Sequence, residues 1–356
     1  MRRLSGTVIF AAMVALASSG SGREEARRGW SPPQTAAVDP GALSVMTYNV
    51  EGLPWPVARG RGEMLERIAA RLRTMRQAGR QPHVVLLQEA FSAEAQALAR
   101  SAGYAHVAMG PDASLRTPLR ADAADTAFMA QARWAKGEDM GKQVGSGLMI
   151  LSDYPIVGTD RMAYPDFACA GYDCLANKGV LIAHLSVPGA GVVSVVDTHL
   201  NSRAATGVSV ARANRAYQRQ ITLMAQFVRA AVPGDRALVI GGDMNLGHDP
   251  RRLAAFFDGF SGAGLRFITP AMSGTYQALA SGGRTRDLVR AARHAKDWLF
   301  ARASDGEPMR VAGAEVPFGS EPDGGQLSDH MGYVIRYARP APGGVRLASN
   351  ELRAAR

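Results

Sequence analysis

The chain has 356 residues, 47% of them hydrophobic, with 41 Lys and Arg against 31 Asp and Glu for a formal charge of +10, and 2 cysteines. That is material for one large core or two small ones, and a single layered domain is the expectation. No stretch approaches the ~20 apolar residues of a membrane span, no Cys-rich or His-x-x-x-His pattern suggests zinc, and the basic balance draws polyanions without choosing between nucleic acid and an anionic membrane.

In chain order, residues 1–22 read as a secretory signal peptide: Arg2 and Arg3, an apolar run from Val8 to Ala17, then small residues. The run is too short to span a bilayer, and no cysteine follows it to take a lipid anchor. The expected location is secreted or periplasmic. Residues 23–42, with Pro32-Pro33 and Pro40-Gly41, read as a linker. A folded domain is expected over 43–337, followed by a flexible basic tail over 338–356.

The domain opens with a β-type run, Ser44-Val45-Met46-Thr47-Tyr48-Asn49, that ends on an amide. A helix follows with Leu65, Ile68, Leu72 and Met75 on one face; Arg61, Arg67, Arg71, Arg73 and Arg76 on the same helix read as a solvated surface. Val84-Val85-Leu86-Leu87 is a second strand and ends at Gln88-Glu89. Residues 111–145 are long for a connection and read as a substrate-rim loop carrying Phe128, Trp134, Lys136 and Lys142.

Strands are predicted near 146–151, 179–187 and 192–198, the last running into Asp197-Thr198-His199 and Asn201. Asp197 and His199 are two apart on a strand, so they point the same way, and Asp197 is read either as pairing with His199 or as capping the strand. Cys169 and Cys174 are close enough to close a small loop as a disulfide in an oxidising compartment. Lys178 has two readings, a point charge reaching phosphate or an ordinary surface charge.

A long helix is predicted over 208–231, and then Ala237-Leu238-Val239-Ile240 delivers Gly241-Gly242-Asp243-Met244-Asn245. Residues 266–295 read as loop. A strand over 296–301 opens on Asp297, and Leu327-Ser328-Asp329-His330 leads into a final strand near 330–336.

Polar groups delivered at the ends of apolar strands converge on one edge of a sheet. The set, Asn49, Glu89, His199, Asp243, Asn245, Asp297, Asp329 and His330, is all oxygen and imidazole chemistry. A phosphodiester repels the hydroxide that attacks it, and a hard divalent cation answers that repulsion. Mg²⁺ is expected, with Mn²⁺ or Ca²⁺ as alternatives.

The order and spacing of these motifs resemble the endonuclease/exonuclease/phosphatase superfamily, whose members include deoxyribonuclease I and neutral sphingomyelinases. Within it, Thr47-Tyr48-Asn49 with Leu53-Pro54, Asn177-Lys178-Gly179-Val180, Asp197-Thr198-His199-Leu200 and Gly241-Gly242-Asp243-Met244-Asn245 are most similar to the neutral and bacterial sphingomyelinases. The resemblance implies an α/β (α+β) four-layer sandwich, two central mixed β-sheets flanked by helices. It implies a secreted, divalent-metal-dependent phosphodiesterase of the sphingomyelinase type, with a secreted deoxyribonuclease I-like nuclease as the alternative.

By the same resemblance Glu89 is the principal metal ligand, with Asn49 and Asp329 in the metal region. Asp243 and Asn245 position or activate water. His199 and His330 contact the phosphate, Asp297 orients His330, and Lys178 is a further phosphate contact. The substrate is a phospholipid or nucleic-acid phosphodiester, and the protein a monomer with a peripheral membrane contact. The resemblance departs at 302–326: membrane-active bacterial sphingomyelinases carry an aromatic-rich hairpin late in the chain, and here only Phe318 is aromatic. Trp55 and Trp134 are the alternative apolar rim.

Overall fold

The computed structural model describes residues 43–53 and 57–338. The readings of a signal peptide, a linker, a basic tail beyond residue 338 and a rim role for Trp55 therefore lie outside the described residues.

Among the described residues, eleven strands form two mixed sheets. They are β1 (Leu43–Asn49), β2 (Val84–Gln88), β3 (His106–Met109), β4 (Met149–Ser152), β5 (Ile156–Ala163), β6 (Gly179–Val187), β7 (Gly191–His199), β8 (Ala237–Asp243), β9 (Asp297–Arg302), β10 (Val311–Phe318) and β11 (Gly332–Tyr337). One sheet has the order β10-β11-β1-β2-β4-β3 and the other β5-β6-β7-β8-β9. The parallel pairs β1–β2 and β7–β8 lie inside their sheets, and the neighbours around them run antiparallel.

Every residue of β1, β2 and β8 is buried, because each sheet is covered on both faces. Val45, Leu86 and Ile150 from one sheet meet Leu181, Val195, Val239 and Leu299 from the other in the central layer. On the outer face of the first sheet lie α1 (Arg61–Gln77) and α2 (Ala93–Ala102), which bury Leu65, Ile68, Leu72, Met75 and Leu98. On the outer face of the second lie α4 (Val210–Ala231), introduced after α3 (Ala123–Met129), and α5 (Pro250–Gly262); Tyr217, Ile221, Met224 and Phe256 pack there on Val196, Ile240 and Phe300. Each buried large aliphatic side chain contributes roughly 1.5–3 kcal/mol. The four layers are those expected.

Two sequence readings need correction. Residues 266–295 are not a loop: Ser273 and Thr285 cap two short helices, α6 (Gly274–Ala280) and α7 (Arg286–His294), and Ala278, Leu288 and Ala291 join the central core. The arginine-bearing surface of α1 is not simply solvated either. Arg71 is buried and forms a two-pronged pair with Glu321, and Arg61 donates to Leu327 O at 2.8 Å, just before Ser328-Asp329-His330.

The segment 111–145 contains structure of its own. Asp122 and Asp125 form a capping box at the start of α3. Buried Asp125 pairs with Arg215 and Arg219 of α4, and buried Glu138 pairs with Arg212. Among the described residues, no helix is long and apolar enough to cross a membrane.

Candidate active site

The strand ends meet at one end of the sandwich. Asn49 is opposite Gln88 across the β1–β2 pair, and His199, Asp243 and Asp297 sit side by side across β7, β8 and β9. Asp329 and His330 immediately precede β11, which pairs with β1. The two glycines before Asp243 are steric requirements. A Cβ on Gly241 would lie 2.4 Å from Leu299 Cδ2 and 2.7 Å from Leu86 Cδ1, blocking sheet packing, and one on Gly242, at φ +131°, would lie 2.0 Å from Thr198 O.

Asn49 links the two sheets at the site. Its Nδ2 donates to Glu89 Oε1 at 2.9 Å and to Asp243 Oδ2 at 3.2 Å, while its Oδ1 accepts from Glu51 N at 3.0 Å. Glu51, Glu89 and Asn245 all hold left-handed backbone conformations, with φ of 49°, 57° and 47°. Three non-glycine residues in this sparsely populated region at one site mark backbone that its surroundings over-determine.

Burial and the nearby Asp329 carboxylate push Glu89 up to about 7, against the Asn49 hydrogen bond. Burial likewise raises Glu51, whose Oε2 accepts from Asp329 N at 3.3 Å and pairs with Arg61. Asp329 lies near enough to Glu51 and Glu89 to raise both, and the oxygens of all three are donors of the kind that suits a hard divalent cation. Sequence reasoning missed Glu51. It lies two residues beyond the end of β1, where no periodic pattern marks it.

Both imidazoles flank the same oxygen: Asp243 Oδ2 lies 3.5 Å from His199 Nε2 and 3.6 Å from His330 Nε2. Their environments drive them apart. Burial would lower His330, but Asp297, whose Oδ2 accepts from Nδ1 at 2.8 Å, and Asp243 push it up to about 10. Burial and the adjacent Lys178 ammonium hold His199 down to about 3. Although burial alone would raise Asp243, the His330 cation keeps it ionised, at about 2. Asp243, Asp297 and His330 stand close enough to hold an ion between them. In its cationic state the His330 imidazole is held by Asp297 as a hydrogen-bond donor.

Lys178 is not a surface charge. Its Nζ is buried 3.1 Å from His199 Nε2 and 2.9 Å from Asp173 Oδ2, and Asp173 also accepts from Ser202 N. Asp173, one residue before Cys174, was also missed; it lies in a short 3-10 helix, Gly171–Leu175, that no periodic pattern marks. Cys169 and Cys174 are joined as a disulfide. Asp197 neither pairs with His199 nor caps the strand: it lies inside the sandwich and accepts from Gln88 Nε2 at 2.7 Å.

Asn245 donates its backbone N–H to Asp243 Oδ1 and its side-chain Nδ2 to Leu200 O, each at 3.0 Å. Of the rim candidates, Phe128 is buried under the Arg212 guanidinium and Lys142 is buried against Asp166. Among the described rim candidates, Trp134, 61% exposed, is the one that presents a large apolar face.

Fold and site together define a sandwich-type phosphoester-processing architecture, and a family profile places it. The description "Endonuclease/Exonuclease/phosphatase family" matches residues 46–330, and the chain belongs to that family. Among curated proteins it is similar to a sphingomyelinase of Mycobacterium bovis, 22% identical over 306 residues, which are 83% of this chain and 53% of that protein. The chain therefore spans about half the length of the curated relatives it matches.

Solved structures share the fold. A beta toxin mutant from Staphylococcus aureus with bound magnesium ions superposes with a TM-score of 0.57 at 16% identity, covering 84% of this chain and 100% of that one. Sphingomyelinase C from Streptomyces griseocarneus gives 0.55 at 22% identity, covering 84% and 99%.

Proposed function

We propose that the protein is an exported, divalent-metal-dependent phosphodiesterase that hydrolyses a phospholipid head-group ester in the manner of a sphingomyelinase. The carrying observation is the convergence of Glu89, Asn49, Asp243 and the His199 and His330 imidazoles at one end of the sandwich. The named sphingomyelinase relatives favour a lipid substrate, and the charged start and short apolar run favour export.

Glu89 would hold the cation, with Asp329 and Glu51 beside it and Asn49 orienting Glu89 through its amide N–H. A bound cation there would neutralise phosphoryl charge and lower the pKa of water. Asp243 and Asn245 orient the attacking water, with the Asp243 carboxylate accepting a hydrogen bond from it. His330, clamped by Asp297, donates a hydrogen bond to a phosphoryl oxygen as negative charge builds. His199 and Lys178 contact another oxygen from the opposite side. Water attacks phosphorus, the bond to the alcohol oxygen breaks, and a phosphomonoester and a free alcohol leave.

A nuclease reading has one observation of its own. Phe318, the only aromatic of 302–326, is buried and stacked on Tyr48 at 4.9 Å, so this region offers no aromatic wedge to a bilayer. A side-by-side assay of the purified protein with Mg²⁺ on sphingomyelin, phosphatidylcholine and double-stranded DNA separates the two. Phosphocholine release with intact DNA supports the lipid reading; plasmid nicking with no phosphocholine release overturns it.

A further inference from the structure

The loops that follow His199 and Asp243 are held from beneath by one side chain. Arg252, near the start of α5, is 1% exposed. Its Nη1 donates to Asn201 O at 2.7 Å and to Asn245 O at 2.9 Å, its Nη2 to Ser202 O at 3.1 Å, and its Nε to Asn214 Oδ1 at 2.7 Å. The guanidinium also lies 4.2 Å from the centre of the Tyr217 ring.

All four hydrogen bonds end on neutral oxygens, so Arg252 is not half of a structural ion pair. A planar fork with several fixed donors can bridge carbonyls on two separate loops at once, which a lysine ammonium, a compact point charge, cannot do with the same geometry. The atoms it bridges matter to the site. Asn245 is the left-handed residue whose N–H bonds Asp243 Oδ1, and Leu200, between His199 and Asn201, donates its N–H to Asp243 O at 3.0 Å.

We propose that Arg252 is a positioning residue for the phosphodiester reaction: by tying the carbonyls of Asn201 and Ser202 to that of Asn245, it fixes the separation of the His199 imidazole and the Asp243 carboxylate. This rests on the hydrolytic reading given above. Arg252 touches neither imidazole nor carboxylate and acts only through the two loops. A shift of about 1 Å between reacting groups is enough to cost turnover by up to about a hundredfold while leaving substrate contacts largely in place.

The experiment compares wild type, Arg252→Lys and Arg252→Met on a soluble chromogenic phosphodiester, bis(p-nitrophenyl) phosphate, with Mg²⁺ and well below each variant's Tm. Amide hydrogen exchange is followed on the same proteins. The expected result for Arg252→Lys is a kcat about tenfold or more lower with KM changed by less than about twofold. Exchange should be faster at Leu200 and Asn245 and unchanged at Val195 and Val239 in the strands behind them.

A purely structural arginine would lower Tm in both variants and leave kcat intact below it, and that outcome overturns the proposal. Unaltered exchange at Leu200 and Asn245 overturns it as well. A wild-type protein that turns over no phosphodiester would instead sink the hydrolytic reading, and the exchange comparison would still decide whether Arg252 holds the two loops.

Discussion

Gln88 and Asp197 join the two sheets directly beneath the candidate site, with Gln88 Nε2 donating to Asp197 Oδ1 at 2.7 Å. Each leaves one buried oxygen, Gln88 Oε1 and Asp197 Oδ2, without a partner among the described residues. Burial raises Asp197 well above the usual carboxylate range, against the Gln88 hydrogen bond. A protonated acid facing a primary amide supplies the missing donor, since its O–H can turn to the amide oxygen.

The pH dependence of stability follows from that raised value. The folded protein keeps a proton that the unfolded chain releases above about pH 3.9. Stability from this group is complete below that pH and is lost as pH rises toward the native value. Asp197→Asn keeps the shape and the neutral pairing and removes the titration. Thermal melts of both proteins between about pH 5 and pH 8 should show the variant gaining on wild type as pH rises; a constant deficit at every pH would argue that Asp197 is ionised in the fold.

Metal binding should be governed by Glu89. In the metal-free protein its carboxyl is pushed up to about 7 by burial and Asp329, so protons compete with a cation below that pH. Titration calorimetry should find Mg²⁺ affinity falling about tenfold per pH unit below 7 and level above it. Glu89→Gln should abolish that binding and lower turnover by roughly a hundredfold or more. EDTA should abolish activity and Mg²⁺ or Mn²⁺ restore it. Undiminished Mg²⁺ affinity in Glu89→Gln would remove the assignment.

Most of the site was legible in the sequence because its residues sit at strand ends, where an apolar, β-branched run announces the element and the next polar residue marks its edge. Asn49, Glu89, His199, Asp243 and Asp297 fall in that class. Glu51 and Asp173 do not, since each gains its place from a short segment that carries no periodic signal. The direction of Asp197 was also hidden. Side-chain alternation places it on the same face as His199, but which partner across the gap claims it depends on the packing of two sheets far apart in sequence.

The helices missed in 266–295 are short, seven and nine residues, and helices of that length owe their stability to burial on neighbours rather than to their own propensity. The misread arginines of α1 had partners, such as Glu321 and Leu327 O, some 250 residues away or more.

His330 and Asp297 should set the alkaline limit of activity. His330 acts as a cation, so rate is lost as pH rises through its native value, about 10 in the presence of Asp297 and Asp243. Asp297→Asn removes the larger of the two attractions, and the alkaline limb of the kcat profile should move to lower pH. His330→Ala should cost roughly a hundredfold in turnover at neutral pH with the fold retained. An alkaline limb that stays in place in Asp297→Asn would show that another group carries the titration.

Trp134 offers a test of the proposed lipid substrate. It sits in a one-turn 3-10 segment, Trp134–Lys136, 61% exposed, and the segment around it is anchored through Glu138 to Arg212 and through Asp125 to Arg215 and Arg219. A fixed indole presented on a basic protein gains energy only where an apolar interior lies behind a polar surface, as at a lipid interface. Trp134→Ala should therefore weaken hydrolysis of sphingomyelin in vesicles several-fold while leaving a soluble phosphodiester within about twofold, because a soluble substrate offers the indole no apolar interior to enter. Nucleic-acid cleavage would show a different signature, a steep fall in rate with rising salt as counterions released from many phosphates oppose binding. Equal losses on both substrates in Trp134→Ala would mean that the side chain supports the fold of the site, and the bilayer role would be dropped.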